Sequence, residues 1–341
     1  MTAATADRQA LHDFVARHTR LLLTTHVNPD GDGLGSEVAM ALWLRSLGKQ
    51  VRVLNDSLVP AAFTFLTRRV PIETFEPDAA ERAFDEADAL IVLDVSNRQR
   101  IGRLAAVLER HLVPIAVVDH HVTHAQGFGA VNVIEPEASA TGEIVYGLIR
   151  ESGRELDPDI AEALYVALMT DTGSFRFSNT DSHAHHMAAD LLTHGLDPQR
   201  IHALVHAHAS AARLRFFGEV LAALELRDDG RIVVLDAAPE QFRKHGLVGA
   251  DTEGLVDMPR NIAEVEAVVL FSEAEPGKVK VSMRSTGRIA VDRLAASLGG
   301  GGHPHAAGVS LRGPRADARG RILPELSRLV AALPRPPEPR P

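Results

Sequence analysis

The chain is expected to fold as an α/β protein, with a doubly wound, mostly parallel sheet followed by a second, smaller α/β domain. Three observations predict this. Apolar runs at 21–23, 51–55, 89–95 and 114–119 alternate with helix-periodic segments, the pattern of parallel strands joined by crossover helices. Three of those runs lead into Asp or His, so polar groups collect at one sheet edge, where open α/β sheets bind ligands. From about residue 224 the pattern becomes a succession of strands, at 224–227, 232–235, 265–272 and 279–284. The charge changes there too. Residues 1–209 carry 17 Lys+Arg against 28 Asp+Glu, whereas residues 210–341 carry 19 against 17.

Taken in order, residues 7–20 read as an opening helix and 21–23 as the first strand. Residues 24–36, TTHVNPDGDGLGS, read as a glycine-tightened loop before a helix at 38–47. Strands at 51–55, 89–95 and 114–119 follow, with a helix at 101–111. Further helices are expected at 139–149, capped by Ser139 or Thr141, and at 158–169, 182–192 and 198–221. In the second part a helix at 291–298 runs into Gly299–Gly302, and a last helix falls within 314–333. The boundaries expected are 1–195 for the first domain, 196–222 for a helical linker, 223–333 for the second domain and 334–341 for a disordered tail.

Composition narrows the function. There is no cysteine among the 341 residues, which excludes disulfides, thiolate metal sites and a cysteine nucleophile. The N-terminus lacks a basic segment followed by an apolar run, and no stretch of about 18 apolar residues exists. The expectation is a cytoplasmic protein without membrane association. A net charge of −9 disfavours a non-specific grip on long duplex DNA but not on a small anion held by metals.

The loop 24–36 admits three readings. Its spacing is not that of a dinucleotide loop. An EF-hand would need Glu where Ala39 stands. One imidazole and two carboxylates, His26, Asp30 and Asp32, suit a hard metal such as Mn2+. A solvated Asp/Gly turn remains the alternative for the loop alone. Asp94, Asp119, His120, His121 and Asp171 fall at corresponding strand or helix ends. Two carboxylates about 4 Å apart repel by roughly 4 kcal/mol at an effective dielectric of 20, so convergence would call for cations. Two divalent ions would nearly balance four carboxylates and could clamp a phosphate. His202 and His206 are spaced i, i+4 with His208 nearby, but no carboxylate partner is evident, and a solvated helix face is expected. His183, His185 and His186 are expected on the surface. Phe175 and Phe177 are read either as base-stacking rings or as core.

The sequence resembles the DHH/DHHA1 phosphoesterase family. The resemblance is carried by HVNPDGDGLGS (26–36), VLDVS (92–96), VDHH (118–121), TDTGSFRFSNT (170–180), VSMRS (281–285) and GGGHPHAAG (300–308). It covers nearly the whole chain and is strongest to the NrnA-like branch, oligoribonucleases that also act on 3′-phosphoadenosine 5′-phosphate (pAp). The resemblance implies that His26, Asp30 and Asp94 hold one divalent ion, most often Mn2+. It implies that Asp32, Asp94, His120 and Asp171 hold a second, with Asp94 bridging. His121 would face the scissile phosphate or the nucleophile, and Asp119 would orient a histidine. Arg284, Gly301, Gly302 and His303 would hold substrate from the second domain. His124 stands where relatives more often carry Asn. The implied activity is hydrolysis of short oligonucleotides and pAp, with cyclic di-AMP or its linear product as a close variant, and a homodimer. The rival readings are a RecJ-like exonuclease on longer single strands and a non-catalytic nucleotide sensor.

Overall fold

The computed structural model describes residues 3–121 and 127–334. The chain forms two compact units, divided between His208 and Ala209. The segment expected as a linker is shared between them. Helix α8 (Pro198–His206) belongs to the first unit and α9 (Ala211–Ala222) to the second.

The first unit is built on a six-stranded, all-parallel sheet in the order β3-β2-β1-β4-β5-β6. Its strands are β1 (Arg20–Thr24), β2 (Gln50–Asn55), β3 (Ile72–Thr74), β4 (Ala89–Leu93), β5 (Ile115–Asp119) and β6 (Val131–Ile134). The order reverses between β1 and β4, which makes the carboxyl ends of those strands the switch point of a doubly wound sheet. Side chains alternate across the sheet with the period of two that strands impose. Leu21, Leu23, Ile91, Leu93, Ala116 and Val118 pack into one core; Leu22, Leu90, Val92 and Val117 pack into the other. The first core lies under α1 (Ala3–Arg17), α2 (Gly31–Ser46), α5 (Thr141–Glu151), α6 (Pro158–Asp171) and α7 (Ser182–Leu192). The second lies under α3 (Pro77–Glu86) and α4 (Leu104–Leu108).

Two expectations need correction here. The glycines after Asp30 are not loop residues, because α2 begins at Gly31. A Cβ on Gly35 would fall 2.4 Å from the carbonyl oxygen of Ala163, so glycine there is what lets α2 cross α6 closely. Helix α5 is capped neither by Ser139 nor by Thr141. Ala140 holds the cap position and supplies no side chain, and the cap comes from another helix, as described below.

The second unit is a mixed sheet in the order β11-β12-β10-β9-β8-β7. Its strands are β7 (Glu225–Arg227), β8 (Ile232–Ala237), β9 (Ala267–Glu275), β10 (Lys278–Ser285), β11 (Gly301–His303) and β12 (Ala306–Arg312). Only β8 and β9 run parallel. α11 (Asp292–Ser297) and α12 (Arg315–Ala331) cover one face; α9 and α10 (Pro239–His245) cover the other. Of the glycine run, Gly301 and Gly302 lie on the edge strand β11, while Gly299 and Gly300 form the turn that leads into it. Gly302 has φ +142°, and a Cβ there would come within 2.4 Å of the Ala306 carbonyl oxygen. Among the described residues no helix is long and apolar enough to cross a membrane.

Candidate metal centre

His26, Asp94, His120 and His121 hang from the carboxyl ends of β1, β4 and β5, while Asp30, Asp32 and Asp171 come from the ends of α2 and α6. Each is placed by contacts of its own. Asp30 caps α2, its Oδ1 accepting from the amides of Asp32 and Gly33 at 3.1 Å each. Asp32, in the first turn of α2 and 1% exposed, accepts from the Thr141 amide at 2.7 Å on Oδ2. On Oδ1 it accepts from the Gly142 amide at 2.9 Å and the Ser36 hydroxyl at 3.1 Å. It is therefore the N-terminal cap of α5, supplied across the unit, and the partial positive charge of that helix end faces its carboxylate.

Asp94 follows the last residue of β4 with φ +60°, a conformation uncommon outside glycine and sustained here by surrounding packing. Its amide donates to Val118 O at 2.9 Å, and its Oδ1 accepts from the Thr141 hydroxyl at 3.0 Å. Asp119, fully buried, accepts on Oδ1 from the His120 and His121 amides and from His121 Nδ1 at 2.8 Å. Asp171 closes α6, and Asn179 Nδ2 donates to both its carbonyl and its Oδ2.

The distances bring the predicted residues together. His26 Nε2 lies 3.4 Å from Asp94 Oδ2 and 3.7 Å from Asp30 Oδ1. His120 Nε2 lies 3.6 Å from Asp32 Oδ2, 3.6 Å from Asp171 Oδ2 and 3.7 Å from Asp94 Oδ1. Donor atoms of His26, Asp30 and Asp94 fall within 4.8 Å of one another, as do those of Asp32, His120 and Asp171, and those of Asp94, His120 and His121. Asp94 thus lies between the other two sets of donors.

The protonation pattern tests whether a cation fits. His26 Nδ1 is 3.0 Å from Val27 O and His120 Nδ1 is 3.1 Å from Ala138 O. A carbonyl only accepts, so each Nδ1 carries hydrogen and each neutral ring presents its Nε2 lone pair to carboxylates. Acceptor faces acceptor, and only a cation satisfies both. The separations are close to those of neighbouring ligands on one ion, about 3–3.5 Å for metal–ligand bonds of about 2.0–2.2 Å. Without a metal, a proton fills the place at His26. Burial lowers its pKa, but Asp30 and Asp94 outweigh burial and push it up to about 10. Burial raises the Asp32 carboxyl well above its usual range, and repulsion from Asp94 and Asp171 adds to the shift. Burial and the same crowding push Asp171 up to about 6, against the pull of His120. The hydrogen bond to Asp119 raises His121; Asp119 itself is lowered, since His121 outweighs its burial.

Other expectations resolve differently. Arg284, Gly301, Gly302 and His303 all lie in the second unit, Arg284 on β10 and the rest on β11. Arg284 Nε donates to Asp257 Oδ1 at 3.0 Å and Nη1 to its own strand at Met283 O. His202 and His206 are exposed neighbours on α8, and among the described residues they belong to no group that could hold a metal. His183, His185 and His186 are exposed. Phe175 packs against the core and stacks on His185, whereas Phe177 is half exposed over Gly173. His124 and residues 335–341 of the expected tail lie outside the described residues. Sequence reasoning missed Thr141, Gly142 and Asn179. The sequence offered Thr141 only as a candidate cap for its own helix, and nothing in residue type marked these three as partners of the Asp32, Asp94 and Asp171 carboxylates.

Comparison with known proteins agrees with this architecture. Residues 20–168 match the N-terminal domain of the DHH family, and residues 230–332 match the DHHA1 domain. A bifunctional oligoribonuclease and PAP phosphatase NrnA from Thermus thermophilus is 31% identical over 86% of this chain and 84% of its own. The protein of that name from Bacillus subtilis is 26% identical over 92% of this chain and 96% of its own. The crystal structure of an exopolyphosphatase-related protein from Bacteroides fragilis superposes with a TM-score of 0.90 at 27% identity, covering 97% of this chain and all of that one.

Proposed function

Because this chain belongs to the DHH family, with a DHHA1 domain following, we propose that it is a phosphoesterase with two divalent ions that hydrolyses short oligonucleotides to 5′-mononucleotides and pAp to AMP. The observation that carries the reading is the pair of imidazoles committed to present Nε2 lone pairs to carboxylates at 3.4–3.7 Å. His26, Asp30 and Asp94 would hold one ion; Asp32, Asp94, His120 and Asp171 would hold the other. Mixed imidazole and carboxylate donors suit Mn2+. Divalent ions bound there supply positive charge to a phosphate and acidify water.

The chain's own residues have distinct parts. Asp119 holds His121 Nδ1 and favours the imidazolium, so His121 Nε2 is the atom that can donate a proton or hydrogen bond to a phosphate or leaving oxygen. Arg284, with Nε and Nη1 engaged, is held in one orientation for an anion, and the Gly301–His303 strand offers backbone amides. One bond accounts for both substrates. Breaking 3′-O–P in a 5′-phosphorylated dinucleotide releases two 5′-mononucleotides, and breaking it in pAp releases AMP.

The test is hydrolysis of pAp, a dinucleotide, a 5-mer, a 20-mer and cyclic di-AMP, with and without Mn2+. Rates should fall with length beyond the 5-mer and vanish on chelation. A 20-mer cleaved as fast as the dinucleotide would instead favour the RecJ-like reading. Binding without turnover would favour a sensor.

A further inference from the structure

Glu37 is fully buried on α2, and nothing in the proposed chemistry uses it. Its Oε2 accepts from Asn55 Nδ2 at 2.7 Å, while its Oε1, also closed to water, has no hydrogen-bond partner. A carboxyl kept half satisfied in the interior is a costly choice for a position that any apolar side chain could fill. The bond it does make leads toward the centre. Asn55, itself fully buried at the end of β2, accepts on Oδ1 from the Thr25 amide at 3.2 Å and from the Thr24 hydroxyl at 3.3 Å. Thr25 is the first residue past the end of β1, beyond the backbone ladder to β2, so Asn55 stands in for a strand there. The Thr25 hydroxyl then donates to Leu93 O at 2.8 Å. The next residues along β1 and β4 are His26 and Asp94.

We infer that Glu37 and Asn55 are positioning residues for the metal centre, fixing through Thr25 the spacing of His26 and Asp94. The line runs from α2 across β2 and β1 to β4, tying together the strand ends that the sheet's own ladder leaves unpaired. Outer partners of this kind typically contribute about 10- to 100-fold to metal affinity. The inference rests on the metal reading above. Burial pushes the Glu37 carboxyl up to about 8, against the opposing pull of Asn55 and His26, so the acid is largely neutral at pH 7 and Gln is a faithful replacement.

The experiment is Mn2+ titration calorimetry on the full chain, together with the paramagnetic resonance spectrum of bound Mn2+ without substrate. Glu37→Met removes the acceptor at nearly constant volume and should weaken Mn2+ binding by about 10- to 100-fold. Glu37→Gln keeps the acceptor and should restore affinity to within about threefold. Thr25→Val cuts the last link alone and should cost about 10-fold, at the low end of the same range; it decides the matter if Glu37→Met does not fold. Wild-type affinity and spectrum in folded Glu37→Met or in Thr25→Val would overturn the inference. So would equal losses in Gln and Met, since keeping the hydrogen-bond acceptor would then make no difference. If the wild-type chain itself takes up no Mn2+, the metal reading fails instead, and the two failures are told apart.

Discussion

The carboxyl edge of the parallel sheet and the edge of the mixed sheet solve different problems. At the first, four carboxylates and two imidazole lone pairs are forced together by buried strand ends and helix turns. At the second, Arg284 has Asp257 as a counterion, sharing its Oδ1 with Arg260, and a short glycine-bearing strand lies at the sheet edge. A crowded acceptor cluster stores electrostatic repulsion that only cations relieve. Guanidinium groups offset by a carboxylate, and an edge strand, store far less. The first region should therefore answer to metal and protons, the second to the identity of the substrate.

The sharpest break between the two comes from Asp94→Ala. Loss of the carboxylate between His26 and His120 should lower kcat by at least about 10²- to 10³-fold and reduce bound Mn2+, with the circular dichroism spectrum unchanged. Full metal occupancy in that variant would remove Asp94 from the bridging place. The counterpart is Arg284→Ala or His303→Ala, which should cost about 10- to 100-fold in kcat/KM on pAp or a dinucleotide while Mn2+ affinity stays the same. Hydrolysis of bis-p-nitrophenyl phosphate should suffer much less. Equal losses on both substrates would erase the division of labour.

Protons sharpen the contrast further. His26 is protonated in the metal-free chain up to about pH 10, so Mn2+ must displace that proton. Affinity should rise by about tenfold per pH unit between pH 7 and 9 for one proton released. Calorimetry in buffers of different ionisation enthalpy should count that proton; affinity flat across this range would refute the displacement.

The smallest of these effects is on stability. Asp171 has its folded pKa raised to about 6, so the strain of ionising it is absent below the unfolded value and grows as pH rises through 6. Metal-free Asp171→Asn should therefore be more stable than the wild-type chain at pH 8 by roughly 1–3 kcal/mol and equal to it near pH 3. Urea unfolding at the two pH values measures this, and no gain at pH 8 would mean the carboxylates do not repel as the geometry requires.

How much of this the sequence disclosed depends on the kind of signal. Asp94 and the Asp119-His120-His121 run stand out because an apolar strand ends in them, and strand ends share an edge. The parallel sheet followed from continuous apolar runs such as 89–93 and 115–118, buried on both faces. Strands β3 and β6 left no such mark, being three and four residues long and half-buried at the sheet edges. The partners of Asp32 and Asp171 were illegible for another reason. Thr141 is 109 residues from Asp32, and a hydrogen bond to a backbone amide leaves no trace in residue type. Gly31 to Ser36 were misread as loop because glycine signals both turns and close helix crossings, and local sequence cannot tell which.

The capping of α5 by Asp32 has a consequence for how the protein is made. A carboxylate that serves as a helix cap has its place before any ion arrives: each of its oxygens accepts one backbone amide, from Thr141 or Gly142, and keeps a second lone pair for an ion. Folding should then not wait on metal, in contrast to small domains whose ligands are disordered until loaded. Stripping it with a chelator and refilling it should be a reversible cycle between two folded forms.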